Sequence, residues 1–418
     1  MRKNFLILFI FLIILTILTP FSICDDIDYE AIDVNAEITT NSSNSNNKIK
    51  IPSINSRACV IIDRNTNTLL YGKNENTKRK MASTTKIMTA IIIIENYNLD
   101  KTIEVSKKAA GTGGSRLGLK TGDKITVRDL LYGLMLCSGN DAAVALAEYA
   151  GGNIQDFAIL MNKKSSELGL SNTNFETPHG LDSDNHYTTA YELALLSNYA
   201  LNNKTFAQIV STKNYTVTIN GYPKNLSNTN ELLGNLNGIY GIKTGFTNGA
   251  NRCLVTACKR NNIDIICVVL GADTKKFRTQ DSIKLINYIF DNFQPVNIKE
   301  LIENEFKNWK NENLNKIIIN KGVSKNIELN LDTSDISYIP IRKDLIEHIN
   351  ISIDCKTYFE APLYNNIEIG NVKVSWGESN ILDSKIYTAS KIDKKSAYSY
   401  FLYFIKNFNT ILTDTIKV

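Results

Sequence analysis

Apolar positions fall in blocks whose period changes along the chain. Ala58 to Asp63 and Leu69 to Tyr71 are short apolar runs around the turn-like stretch Arg64-Asn65-Thr66-Asn67, and they predict two strands. The run Ile87-Met88-Thr89-Ala90-Ile91-Ile92-Ile93-Ile94 is almost wholly apolar and reads as a core helix beginning near Thr84. Leu130 to Leu136 is a second apolar stretch, and the amphipathic segment Asp141 to Tyr149 follows it. Helices dominate to about residue 202, and strands return near Tyr215 to Ile219. Cys253 to Cys258 and Ile263 to Leu270 read as strands joined at Lys259 to Asn262. Thr279 to Phe293 closes the block as a helix, with Ile283, Leu285, Ile286, Ile289 and Phe290 apolar. Sheet elements at both ends of a helical stretch predict an α/β domain, a sheet flanked by helices, over residues 52–293.

Gln294-Pro295 marks a boundary. Short apolar runs follow at Lys316 to Ile319, Ile327 to Leu331, Ile336 to Ile341, Ile349 to Ile353 and Val372 to Trp376. Their spacing predicts a small all-β domain over 296–390, with no catalytic constellation in it. In residues 394–418, Tyr398, Phe401, Leu402, Ile405, Phe408 and Leu412 fall near one helical face. Lysines flank the segment and Lys406 interrupts it, which suits an amphipathic helix lying on a membrane surface better than a span.

At the other end, Arg2 and Lys3 precede the apolar stretch Phe5 to Leu18, Pro20 breaks it, and Ser22-Ile23-Cys24 offers a cleavage position. This is an export signal over residues 1–24, with an uncleaved anchor or lipid on Cys24 as alternatives. Residues 25–51 turn Asn- and Ser-rich, a linker composition. A chain of 418 residues exceeds one ordinary core, so two domains are expected. The net charge of +5 is modest and spread out, which does not suggest a nucleic-acid partner. Seven cysteines include no C-x-x-C pair, which argues against a zinc site; disulfides stay open in an exported protein.

Three short motifs carry the chemistry. In Ser83-Thr84-Thr85-Lys86, the serine and lysine are one helical turn apart, so the amine reaches the hydroxyl. Serine needs such a base, and lysine serves as one where burial and a nearby cation, such as Lys243, lower its pKa. Ser138-Gly139-Asn140 lies between two apolar helices, placing a proton relay and an amide-binding group. Lys243-Thr244-Gly245 sits in a strand context, where the cation and hydroxyl can hold a carboxylate and Gly245 admits close approach of a ligand. A second copy, Lys120-Thr121-Gly122-Asp123, has turn composition and reads as a surface turn. The set matches S-x-x-K, S-D-N and K-T-G of penicillin-binding proteins and class A β-lactamases, with Gly139 in place of Asp.

On these motifs, with Met81 to Ala90, Cys137 to Ala143, Pro178-His179-Gly180-Leu181-Asp182 and Gly241 to Thr247, the chain resembles the low-molecular-weight penicillin-binding proteins of the serine D-Ala-D-Ala carboxypeptidase type. The resemblance implies a β-lactamase/transpeptidase-like catalytic domain. It implies Ser83 as acylating nucleophile, Lys86 as its base, and Ser138 and Asn140 for proton relay and substrate binding. Lys243 and Thr244, beside Gly245, would recognise the terminal carboxylate, with Arg278 as a second cation. The backbone N–H groups of Ser83 and Phe246 would form the oxyanion hole. The expected substrate is a peptidoglycan stem peptide ending in D-Ala-D-Ala, at the outer face of the bacterial cytoplasmic membrane or cell wall. β-Lactams would acylate the same serine, and neither cofactor nor metal is expected. His179 is read as structural rather than as a triad member, and Glu176 is not expected to be a deacylating base. A serine β-lactamase and a non-catalytic penicillin-binding sensor are the alternatives.

Overall fold

The computed structural model describes residues 49–333, 338–376 and 379–415. The segment read as an export signal and nearly all of that read as a linker lie outside the described residues. The chain divides after Asp291 into two units.

The first unit is built on a five-stranded antiparallel sheet of β1 (Ala58–Asp63), β2 (Leu69–Lys73), β3 (Ile239–Thr247), β4 (Asn251–Arg260) and β5 (Ile263–Ala272), in the order β2-β1-β5-β4-β3. The N-terminal strands thus join the C-terminal ones: β1 pairs with β5 from Ala58↔Leu270 to Asp63↔Ile265. Every residue of β1 and β5 is buried, which is why both read as unbroken apolar runs rather than as alternation. Between β2 and β3 lies the helical insert, with α1 (Lys86–Asn96), α2 (Val127–Leu136), α3 (Asn140–Gly151), α4 (Ile154–Glu167) and α5 (Ala190–Leu201). The first eight residues of α1 are all buried, so this helix is the axis of the insert. Polar caps start three of the others: Thr126, Asn153 and Thr189 side chains accept from the N–H groups of Asp129, Asp156 and Glu192.

The strand read near Tyr215 does not enter the sheet. Asn214–Ile219 pairs instead with Tyr222–Ser227 in a separate hairpin. Asn220 and Gly221 both take positive φ, 55° and 83°, the primed turn that keeps a two-residue hairpin tight. A small ladder of Thr102–Glu104 with Lys124–Thr126 also interrupts the predicted helical stretch.

The second unit contains a four-stranded antiparallel sheet of Leu329–Leu331, Ile349–Cys355, Glu368–Trp376 and Ser379–Thr388. It is not built of strands alone. Ile298–Asn313 is a helix whose Ile298, Ile302 and Phe306, four apart on one face, are buried in the same core as Val372, Val374 and Ile386. The charged residues between them hid this helix among the short apolar runs that follow. The chain continues to a helix at Ala397–Thr415, whose Tyr398, Phe401, Leu402, Tyr403, Phe404 and Ile405 are exposed. Among the described residues, no helix is long and apolar enough to cross a membrane.

One closing helix of the first unit, α6 (Lys275–Asn292), ties the start of the domain to its end. Asp281, on α6 and buried, accepts from Ser56 N at 2.7 Å, from Asn55 N at 3.2 Å and from the Ser56 hydroxyl. Replacing Asp281 with Ala leaves these donors unsatisfied. The expected loss is about 3 kcal/mol, read as a lower urea midpoint at unchanged slope, with Asp281→Asn losing less. A midpoint equal to wild type refutes this anchoring role.

Candidate active site

Ser83 lies in a 3-10 turn, Ala82–Thr85, immediately before α1. Two threonines secure the turn's carbonyls: the Thr84 hydroxyl donates to Met81 O at 2.6 Å and the Thr85 hydroxyl to Ala82 O at 2.8 Å. Lys86, the first residue of α1, has no exposed surface. Its Nζ lies 2.7 Å from Ser83 Oγ, 2.7 Å from Asn140 Oδ1, 3.0 Å from His179 O and 3.5 Å from Ser138 Oγ. Two of these neighbours are fixed acceptors. The His179 carbonyl has no proton, and Asn140 turns its Nδ2 to Gly113 O at 2.8 Å, leaving Oδ1 for the lysine. A neutral Lys86 amine satisfies both with its two N–H bonds and points its lone pair at the Ser83 hydroxyl. The geometry therefore suits proton abstraction from Ser83.

Ser138 and Asn140 sit where α2 ends and α3 begins. Ser138 is buried and holds a φ of 61°, a left-handed conformation uncommon for serine. The next residue explains why the motif has glycine. A Cβ on Gly139 would lie 2.9 Å from Asp141 Oδ1 and 3.0 Å from Leu117 N. The space is filled because the Asp141 carboxylate, fully buried, accepts from the backbone N–H groups of Leu117 at 2.8 Å, Gly118 at 2.7 Å and Leu119 at 2.9 Å. The Asn140 N–H adds a bond to Ser115 O at 2.7 Å. The loop over residues 113–119 is thereby fastened to the Ser138 motif.

The third motif is on β3, the edge strand of the sheet. Lys243, Thr244, Gly245 and Phe246 lie opposite Val255, Leu254, Cys253 and Arg252 of β4. A Cβ on Gly245 would come within 3.1 Å of Ser83 N, so glycine lets this strand pass against the nucleophile's own backbone. This is the close approach that a hole formed by the Ser83 and Phe246 N–H groups requires. The Arg252 guanidinium stacks on the Phe246 ring at 3.8 Å. Lys243 is buried, with Nζ 3.0 Å from Thr244 O, and Thr244 Oγ1 is 2.7 Å from Thr229 Oγ1. The other copy forms a turn: Asp123 N donates to Lys120 O at 3.1 Å, Gly122 has a φ of 84°, and Lys120 is exposed.

The segment from Glu176 to His186 packs against the nucleophile turn. Gly180 has a φ of 85°, and a Cβ there would lie 1.9 Å from Ala82 O, so glycine is required on two counts. His179 contributes its carbonyl to Lys86. Burial first, then the Lys86 charge, pushes its imidazole down to about 3. His186 accepts from Glu176 N on Nδ1 at 2.9 Å, which leaves a proton on Nε2 for Thr85 Oγ1 at 2.7 Å. The Glu176 carboxylate accepts from the Ser183 hydroxyl. Arg278 is fully buried and paired with Glu231 rather than presented to solvent. Asp141 and His179 lie in stretches that carry the resemblance, but their roles here, a buried carboxylate under a loop and a backbone carbonyl, were not marked, and Thr229 lies in no motif. Among the described residues no cluster of His, Cys, Asp or Glu is arranged to hold a metal ion, and Cys59, Cys258, Cys267 and Cys355 are free thiols.

The family described as D-alanyl-D-alanine carboxypeptidase matches residues 44–274. Among curated relatives, D-alanyl-D-alanine carboxypeptidase DacF of Bacillus subtilis is 33% identical over 347 residues, 82% of this chain and 86% of that protein. DacD of Escherichia coli, of the same description, is 31% identical over 363 residues, 83% of this chain and 89% of the other. Among solved structures, penicillin binding protein 5 from Haemophilus influenzae superposes with a TM-score of 0.68 at 27% identity, covering 83% of this chain and 100% of that one. The Streptomyces K15 DD-transpeptidase gives 0.56 at 36% identity over 58% of this chain and 100% of its own.

The two histidines beside the nucleophile turn set a pH dependence. Burial pushes His186 down to about 4, below its ordinary value of 6.5. A depressed pKa in the folded state means that the stabilisation is complete above about 6.5 and drains away as pH falls through the folded value. The melting temperature of wild type is expected to fall between pH 6.5 and 4, and that of His186→Gln, though lower at pH 7, to fall less. Parallel curves for the two proteins would show that His186 does not supply this dependence.

Proposed function

The chain belongs to the D-alanyl-D-alanine carboxypeptidase family, and from that membership we propose that it removes the terminal D-alanine of peptidoglycan stem pentapeptides through an ester on Ser83. The observation that carries this reading is the placement of Lys86 Nζ within 2.7 Å of both Ser83 Oγ and Asn140 Oδ1, groups from two separate motifs.

In the proposed reaction Lys86 takes the Ser83 proton as Oγ bonds to the penultimate D-alanine carbonyl carbon. Charge develops on the carbonyl oxygen, which the Ser83 and Phe246 N–H groups receive. Asn140 holds the substrate amide, and Lys243 and Thr244 hold the terminal carboxylate beside Gly245. The C–N bond breaks, and Ser138, next to Lys86, relays a proton to the departing amine. Water then attacks the ester carbonyl, and Lys86 takes its proton and passes it to Ser83 Oγ as the C–O bond breaks, which frees the acid and restores the serine hydroxyl. A β-lactam offers a carbonyl and a carboxylate in similar relation and acylates the same serine. The bond from Ser183 to Glu176 supports keeping that carboxylate out of the reaction, unlike the base of a β-lactamase.

We place the enzyme outside the cytoplasmic membrane, held at its surface by the helix Ala397–Thr415. Its exposed aromatic side chains suit the headgroup boundary, and Lys394, Lys395 and Lys406 suit anionic lipid.

Incubating purified protein with a peptide ending in D-Ala-D-Ala tests the chemistry. D-Alanine release is expected, and Ser83→Ala should abolish both release and labelling by penicillin. Lys243→Ala should cost about 2–4 kcal/mol in kcat/KM, as for loss of a positioned electrostatic group. Lys120→Ala should be nearly silent. No release by folded wild type, or equal losses from the two lysine changes, overturns the assignment. For the helix, deleting residues 394–418 from protein whose signal is cleaved should move it to the soluble fraction with peptide turnover intact. Persistent membrane binding, or soluble protein without turnover, counts against a surface anchor.

A further inference from the structure

Four consecutive polar residues, Asn228-Thr229-Asn230-Glu231, follow the hairpin that ends at Ser227, and each is bonded to a different part of the first unit. Asn228 donates from its backbone to Lys213 O at 2.8 Å and from Nδ2 to Thr212 O at 3.0 Å. Asn230 Nδ2 donates to Gly241 O at 2.9 Å, on β3 just before Lys243. Glu231 accepts from Arg278 and from the Thr279 hydroxyl of α6. Burial pushes the Glu231 carboxyl up, but the Arg278 charge and the Thr279 bond outweigh it and hold the group below its usual value. The quartet is therefore fixed on both sides of Thr229.

Thr229 itself bonds to the third motif and to the helix that leads into the second. Its N–H donates to Leu136 O at 3.0 Å, the last residue of α2 and two before Ser138. Its hydroxyl lies 2.7 Å from the Thr244 hydroxyl. Thr244 is fully buried, whereas Thr229 is half-buried and forms the outer member of the pair.

We propose that carboxylate recognition at this site uses a Thr229–Thr244 hydroxyl pair, which makes Thr229 a specificity residue for substrates that end in a free carboxylate. The proposal rests on the reading that Lys243 and Thr244 receive that carboxylate. A carboxylate only accepts hydrogen bonds, and each threonine hydroxyl has a single proton. With Thr244 donating to Thr229 Oγ1, the Thr229 proton is left for an outside acceptor. The inner bond also polarises the donating hydroxyl and strengthens its bond to an anion. Arg278 acts at one remove here: through Glu231 it holds the segment that carries Thr229.

The test compares wild type with Thr229→Val, Thr229→Ala and Thr229→Ser on a peptide ending in D-Ala-D-Ala and on the same peptide with its C-terminus amidated. Melting temperatures of all variants are measured alongside, and Thr229→Ala gives the same comparison if valine disturbs folding. Loss of the hydroxyl should raise KM for the free acid roughly ten-fold or more, the scale of a hydrogen bond to a charged group, with kcat changed less than about two-fold. The preference for acid over amide should narrow by the same factor, and Thr229→Ser should restore it. An unchanged preference in the valine and alanine variants overturns the proposal. So does an equal loss on acid and amide, or a serine variant as poor as alanine, since either marks a purely structural role. If wild type itself releases no D-alanine, the reading of the site fails first; if wild type turns over and prefers the acid while the variants match it, only the threonine pair fails.

Discussion

Burial of Lys86 is the constraint around which the first unit is arranged. An ammonium or amine without exposed surface is costly unless its hydrogen bonds are met within the protein. Its partners come from segments far apart in sequence: Ser83 from its own turn, Asn140 from the start of α3, and the His179 carbonyl from the segment beyond α4. Each segment must be held to within tenths of an ångström to keep those bonds. The secondary fastenings follow: Asp141 under the loop over residues 113–119, Gly180 against Ala82 O, and His186 on Thr85. The same bonds that make the lysine tolerable aim it at the serine, so the cost of burial and the preparation for catalysis are one arrangement.

The sheet supplies what the helices cannot. A nucleophile held on the helical side needs an anion-binding wall opposite it, and β3 is free to provide one because it is an edge strand with β4 on one side. Gly245 faces Ser83 N, and a Cβ there would meet it at 3.1 Å, tight enough that strand or turn must give by a few tenths of an ångström. The Thr247 hydroxyl donates to Asp182 Oδ1 at 2.7 Å, which ties the far end of β3 back to the segment that serves Lys86. The two walls of the site are thus registered to each other rather than independently placed.

How much of this was legible in the sequence depends on the range of the interaction. The strands at Ala58 and Ile263 and the helix after Ser83 were readable because burial on all sides leaves unbroken apolar runs. Ser83 and Lys86 were readable because their contact is local, one turn apart. The different settings of the two Lys-Thr-Gly copies were readable from flanking residues, strand-like around Lys243 and turn-like around Lys120. The strand near Tyr215 was readable but its partner was not, because such a strand does not say what it pairs with, and the Asn220-Gly221 turn selects its neighbour Tyr222–Ser227 instead of the sheet. The helix Ile298–Asn313 was missed because its three buried residues are separated by charge. Thr229, Asp141 and the His179 carbonyl act across long sequence separations or through the backbone, and residue type alone carries no trace of that.

The histidines suit the proposed use of Lys86 as a base. An imidazolium on His179 would be repelled by Lys86 whenever the lysine carries a proton. The fold avoids this by keeping both imidazoles neutral: burial pushes His179 down to about 3 and His186 to about 4. His186 spends its two nitrogens on Glu176 N and Thr85, and His179 offers Lys86 a carbonyl instead of a ring. A triad built on His179 would demand the opposite environment, one that stabilises an imidazolium when it takes the serine proton. The segment from Glu176 to His186 is therefore better understood as insulation and support for the lysine than as a reserve of acid–base groups.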